Sequence, residues 1–220
     1  MPNVPQDLII IGAGGFGREV AWLVQRINQK SLTWNLIGFV DDDLHMQGME
    51  VDGYPMLGNC EEALNHPQAA FVCAIGSARV REAVVERLES LSNGKIRFAT
   101  LIDPDALVSQ RVSVGEGTII CAHAIVTVDI TIGRHVIINL DCTVGHDATL
   151  GDFVTLYPSV NVSGMTVLEN GCELGTGTQL IQNKKVGAYA IVGAGAVIVK
   201  DIPEKCTAVG IPAKPIKFFD

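Results

Sequence analysis

The sequence predicts an α/β N-terminal domain, one half of a Rossmann-like fold, followed by an all-β parallel β-helix built from six-residue repeats. Three observations carry this. A glycine-rich turn joins a short apolar run to a helical pattern near the N-terminus. An aliphatic residue recurs at every sixth position through most of the second half. Aromatics make up only 5% of a chain that is 48% hydrophobic, so the core must be built from Val, Ile, Leu and Ala. The expected division is residues 1–101 for the first domain and 102–220 for the second.

The first domain begins with Leu8-Ile9-Ile10-Ile11, a buried-strand signal that runs straight into Gly12-Ala13-Gly14-Gly15-Phe16-Gly17. From Arg18 to Ile27, Val20, Leu23, Val24 and Ile27 fall at helical spacing. A second strand, Leu36 to Val40, ends in Asp41-Asp42-Asp43. Strand, glycine turn, helix, strand and acid is the context that gives a G-x-G-x-x-G pattern meaning. Glycines let the backbone approach a diphosphate, and a helix start offers free N–H groups. A carboxylate at the end of the second strand suits ribose hydroxyls. Phe71 to Ile75 is a third strand ending in Gly76-Ser77, with a helix from about Arg79 to Leu91 and a short strand from Arg97 to Ile102. This is too short for a full dinucleotide fold and suits a mononucleotide or nucleotide sugar.

The second domain carries the repeat. Stepping by six from Val114 reaches Ile120, Val126, Ile132 and onward to Ile198, fifteen aliphatic positions without a slip. The residue four further on is small or apolar nearly throughout, with Lys184 the clear exception. A period of six is foreign to one face of an α-helix. It fits a parallel coil in which three hexads make one eighteen-residue turn and the aliphatic side chain points inward. Cys142 and Cys172 fall on the small inward position and read as core fillers.

The net charge of −8 divides evenly, with 8 basic and 12 acidic residues on each side of residue 101, so nucleic acid is not expected as a partner. No apolar run reaches bilayer length and no secretory leader is recognisable, so no membrane partner is expected. Six cysteines without a CxxC pair point to free thiols in a cytoplasmic protein. The histidines show no metal-site spacing, and no metal is expected.

His146 lies two residues after the inward Val144, in a turn of the coil, and is followed by Asp147. One eighteen-residue turn later stands Gly164, whose missing side chain leaves room beside the imidazole. A histidine titrates close to neutrality and can take a proton there, and a neighbouring acid can fix its tautomer. His123 and His135 sit three residues after an inward aliphatic and are expected at the surface or between subunits.

Taken together, the IGAGGFG turn, the FVDDD and AIGS strand ends, the hexad coil, INLDCTVGHD and the closing VGIPAKP resemble the bacterial sugar acyltransferases that include sialic acid O-acetyltransferases and UDP-4-amino-sugar N-acetyltransferases. The resemblance implies a left-handed coil and a homotrimer, with acetyl-CoA in a groove between neighbouring coils and the nucleotide part of the sugar on the N-terminal domain. It implies His146 as general base supported by Asp147. It places Gly14, Gly15, Phe16, Asp41, Asp42 and Gly76 at the nucleotide-sugar site and Asn139 near the sugar. It assigns Thr155, Gly164, Thr176 and Ala194 to acetyl-CoA. Family members often carry histidine or a small polar residue at the position of Phe16, and some carry a second histidine at that of Thr155. N-acetylation of a nucleotide-linked 4-amino sugar is the expected activity. O-acetylation of a sialic acid or other hydroxyl is the alternative, and a non-catalytic trimeric scaffold binding nucleotide sugars is the other. An NAD-dependent oxidoreductase would rest on the glycine turn alone and leave the coil unexplained.

Overall fold

The computed structural model describes residues 4–219, which fall into two compact units: residues up to 76 with 80–104, and 77–79 with 105 onward.

In the first unit, β1 (Gln6–Ile11) is central. It pairs in parallel with β2 (Trp34–Val40) on one side and with β5 (Ala70–Cys73) on the other. Leu8 to Ile11 are all fully buried, as expected of a strand covered on both faces. Two short strands were not foreseen. β3 (Glu50–Val51) and β4 (Tyr54–Gly58) form an antiparallel hairpin that extends the sheet beyond β2, giving the order β3-β4-β2-β1-β5. They were missed because β3 is only two residues long and carries no alternation. Helix α1 (Gly15–Lys30) buries Val20, Ala21, Leu23 and Val24. It is longer than the apolar spacing suggests, since its first turn is Gly-Phe-Gly. Helix α2 spans Ala78–Leu91. Because β1 has neighbours on both sides, the strand order reverses beside it, and ligands in such sheets sit outside the carboxyl ends of the strands at that reversal.

The second unit is a left-handed parallel β-helix. Two-residue strands pair with partners eighteen residues on: Val126 with Val144, Val144 with Val162, Val162 with Leu180 and Leu180 with Ile198. Three such stacks form the faces of a prism. Every aliphatic hexad position from Ile120 to Ile198 lies in one continuous core. The small position fills it too, with Cys142 and Cys172 fully buried. Thr118, Thr166 and Thr178 also occupy it, and each satisfies its hydroxyl on a nearby backbone carbonyl. Closing each turn requires a left-handed backbone residue at another fixed phase. His123, Asp129, His135, Asp141, Asp147, Phe153, Ser159 and Met165 all have φ between 54° and 61°.

Leu156 shows what the core contributes. It is fully buried between Ile138 one turn below and Leu174 one turn above. Leu156→Ala should destabilise the protein by about 2–5 kcal/mol, because rigid neighbouring turns collapse poorly onto the void. Denaturant titration would measure it.

Candidate active site

On the coil, Val144 anchors its strand inward and the chain then turns outward through Gly145, leaving His146 with its side chain 55% exposed. Asp147 follows in the left-handed conformation, φ 58°, which aspartate tolerates better than most residues. That turn swings its carboxylate back to the ring it follows, so that His146 Nδ1 and Asp147 Oδ2 are 2.7 Å apart. A carboxylate can only accept a hydrogen bond, so Nδ1 is the donor in this contact. Gly164 lies over the other edge of the ring. A methyl group added there would stand 2.6 Å from Nε2 and 2.7 Å from Cε1. The half-exposed imidazole therefore fills the space that glycine leaves, with Nε2 on the edge beside it.

The other expected residues of the coil divide. Thr176 and Ala194 are exposed and stack one turn apart on a corner different from that of His146. One chain alone therefore does not bring them to the imidazole. Asn139 is buried and its Oδ1 accepts a hydrogen bond from the Leu140 N–H at 2.7 Å. Thr155 is only 1% exposed, so the side chain expected to meet acetyl-CoA is turned away from solvent in this chain. His135 corrects a sequence expectation: it is not a surface residue but fully buried. Its ring stacks on Phe153, one turn above, with centroids 5.2 Å apart and planes 5° from parallel. Bare Gly117 lies one turn below, where any Cβ would strike the ring. At this corner the space left by Gly117 below and the ring of Phe153 above together enclose the imidazole. His123 follows the expectation, exposed and 3.5 Å from Asp141.

In the first unit the glycine turn has the geometry a phosphate loop needs. Gly12 has φ 97°, a conformation costly for any side chain. A Cβ on Gly17 would collide with the Gly12 carbonyl oxygen, so this glycine sets the approach of helix to strand. Gly14 and Gly15 have open space where a side chain would be. Helix α1 starts there with no side-chain cap, so its first N–H groups face outward. A pocket of about 370 Å³ opens beside them, lined by Ala13, Gly14, Gly15, Arg18, Met46, Glu50, Val51 and Asp52. Phe16 is half-buried in the helix's first turn. Sequence reasoning missed Arg18 and the hairpin acids, since neither belongs to the glycine pattern.

The two aspartates after β2 brace this loop. Asp41 accepts from the Ala13 N–H with Oδ2 (2.8 Å) and from the Asp43 N–H with Oδ1 (2.9 Å). It thereby ties the glycine turn to the end of β2. Asp42 accepts from the Cys60 N–H and, at 2.6 Å, from Arg87. Desolvation alone would raise its carboxyl pKa, but the Arg87 and Cys60 hydrogen bonds outweigh it and hold the group below its usual range. Both carboxylates already have protein partners, so the ribose role expected of them is not evident in their geometry. Gly76 follows β5 as a half-buried residue whose carbonyl accepts from Arg81.

The thiols offer no competing chemistry. All six are free and buried. Burial pushes the Cys60 and Cys73 pKa values to about 12 and that of Cys142 to about 11; Cys172 moves up for the same reason. A thiol so protonated is a poor nucleophile at neutral pH. Among the described residues no helix is long and apolar enough to cross a membrane, and no group of three or more His, Cys, Asp or Glu is placed to hold a metal ion.

Residues 7–88 match the model of the PglD N-terminal domain family. The GDP-perosamine N-acetyltransferase of Escherichia coli O157:H7 is 33% identical over 216 residues, which cover 94% of this chain and 95% of that protein. The acetyltransferase domain of PglB from Neisseria gonorrhoeae FA1090, solved in complex with acetyl coenzyme A, superposes with a TM-score of 0.86 at 36% identity, covering 97% of this chain and all of the other. PerB from Caulobacter crescentus, solved with CoA and GDP-perosamine, superposes with a TM-score of 0.83 at 29% identity, over 97% of this chain and 99% of the other.

Proposed function

The chain belongs to the hexapeptide-repeat sugar acetyltransferase family, and we propose that within it this protein N-acetylates a nucleotide-linked 4-amino sugar by direct transfer from acetyl-CoA. The observation that carries the mechanism is the 2.7 Å contact of His146 Nδ1 with Asp147, on a half-exposed ring whose Nε2 edge lies beside Gly164. The sugar amine attacks the thioester carbonyl. His146 Nε2 takes the proton that the nitrogen sheds, and the C–S bond breaks to release coenzyme A as thiolate, which recovers that proton. Asp147 holds the tautomer and stabilises the imidazolium. The buried, protonated thiols supply no support for an acyl-cysteine intermediate.

The nucleotide part of the sugar binds at the open glycine turn and uncapped start of α1, where Gly14, Gly15 and Phe16 supply backbone N–H groups. Asp41 and Asp42 serve this site by holding the loop. Acetyl-CoA binds between chains of a homotrimer. Placing Thr176 and Ala194 on a different corner from His146 supports that reading, because a neighbouring chain would be needed to bring the two corners to one groove. A cytoplasmic location agrees with free thiols throughout.

The experiment is thiol release from acetyl-CoA, followed with a nucleotide-linked 4-amino sugar and with the same sugar bearing a hydroxyl at C4. The amine should turn over at least about a hundredfold faster by kcat/KM, a difference of roughly 2.7 kcal/mol in transition-state stabilisation. Equal rates, or turnover of the hydroxyl alone, would replace N- with O-acetylation. Nucleotide-sugar binding without thiol release from any acceptor would leave a scaffold.

A further inference from the structure

One face of the coil changes character along its length. Its outward strand positions run Ile119, Ile137, Thr155 and Glu173, each paired with the next one turn on. All four are buried, Glu173 being 9% exposed. The first two are apolar, as a covered face requires. The fourth is a carboxylate, which is costly to bury unless it is hydrogen-bonded. Glu173 meets that condition with both oxygens. Oε1 accepts from the Ala78 N–H at 2.9 Å and Oε2 from the Tyr157 hydroxyl at 3.0 Å. An isoleucine there would continue the apolar ladder without that cost, and local breaks of this kind concentrate at functional sites.

The consequence falls on half-buried Tyr157. A phenol has one proton, and Tyr157 gives it to Glu173. Toward any further group its oxygen is therefore an acceptor. Tyr157 follows Leu156 at a corner of the coil, and Asn139 follows Ile138 at the same corner one turn below. Asn139 is only 7% exposed. Its Oδ1 is taken by the Leu140 N–H, which fixes the remaining group as Nδ2. Among the described residues the two Nδ2 N–H donors have no hydrogen-bond partner. Unspent donors on a side chain so deeply buried call for a ligand.

Consecutive turns of this corner thus offer a donor from Asn139 and an acceptor from Tyr157. A phosphate or carboxylate oxygen only accepts and an ammonium only donates, so either would leave one side unmet. The reacting amine needs its lone pair for the thioester. A hydroxyl has one proton to give to Tyr157 and lone pairs to take the Asn139 N–H. Resting on the nucleotide-sugar reading above, we propose that Asn139 and Tyr157 bind one ring hydroxyl of the acceptor sugar and so determine which amino sugar is accepted. Glu173 acts through Tyr157 as a positioning residue that fixes its hydroxyl in the accepting sense.

The test is steady-state thiol release by the full-length protein with a nucleotide-linked 4-amino sugar and with its mono-deoxy analogues. Tyr157→Phe keeps the ring and removes only the hydroxyl. KM for the amino sugar should rise about tenfold, the scale of one hydrogen bond. KM for acetyl-CoA and the affinity for the bare nucleoside diphosphate should not move, whereas a general loosening of the coil would shift them too. In Glu173→Gln the side-chain oxygen must serve the Ala78 N–H, so Nε2 turns to Tyr157 and donates to it. Tyr157 then presents its proton outward, and KM should rise by a similar factor. The double variant should be no worse than the more impaired single variant, because both act on one hydroxyl. One deoxy analogue should cost the wild-type protein about tenfold in kcat/KM and cost Tyr157→Phe and Asn139→Ala nothing. An unchanged KM in Tyr157→Phe, or equal losses with every deoxy analogue in all three proteins, would overturn the hydroxyl contact while leaving the nucleotide-sugar reading standing. Losses of Tyr157→Phe and Glu173→Gln that multiply would remove Glu173 from the pair. A wild-type protein that turns over no nucleotide-linked amino sugar would overturn the nucleotide-sugar reading itself.

Discussion

His146→Ala is expected to lower kcat by about 10²–10⁴-fold, the range typical of losing a positioned general base, with KM for acetyl-CoA nearly unchanged. The ring is half exposed, so its removal leaves the buried core of the coil intact, and stability should shift by less than about 0.5 kcal/mol. That separation distinguishes a chemical role from a structural one. Asp147→Asn is a finer probe of the same dyad. An amide N–H pointed at Nδ1 would favour the tautomer with its proton on Nε2, and that nitrogen could then no longer take a proton from the amine. Activity should fall while the fold is kept. Steady-state thiol release by both variants, with thermal melts alongside, measures all of this. A fully active His146→Ala protein would remove the dyad from the mechanism.

The coil was legible because its physics is one-dimensional. Each turn stacks directly on the last, so one inward position must stay aliphatic for fifteen hexads, and Cys142 and Cys172 could be placed in the core by phase alone. The glycine turn was legible for a similar reason: Gly12 and Gly17 are fixed by backbone geometry that no other residue satisfies. What stayed hidden depends on partners that lie near in space and far in phase. His135 shares its phase with His123, yet one is buried and the other exposed, because Phe153 and Gly117 flank the first in its stack. Asp41 and Asp42 have the right position for a ribose, but the sequence says nothing of Ala13, Arg87 or Cys60 as their partners. The β3–β4 hairpin is too short to carry any periodic signal, and with it Glu50 and Asp52 went unnoticed.

Gly164→Ala is the second change expected to cost most, and it separates two roles for one residue. The family resemblance gives Gly164 to acetyl-CoA; the geometry gives it to the imidazole. The new methyl group would lie 2.6 Å from Nε2, 2.7 Å from Cε1 and 2.9 Å from Cδ2. Something must move, and the half-exposed ring is softer than the hydrogen-bonded coil that carries Gly164. Swinging the ring away breaks the 2.7 Å contact with Asp147 and displaces Nε2 by about an ångström, an error on the scale that costs roughly 10²-fold in rate. The loss should fall on kcat, because the ring can find solvent and the coil need not deform. If the methyl group instead blocks acetyl-CoA alone, KM for acetyl-CoA rises and kcat holds. The double variant Gly164→Ala, His146→Ala decides between them. When both changes act through the same imidazole, the second adds nothing to the first, and the double variant should be no slower than His146→Ala. Losses that multiply would mean that Gly164 acts on the cofactor independently of the base.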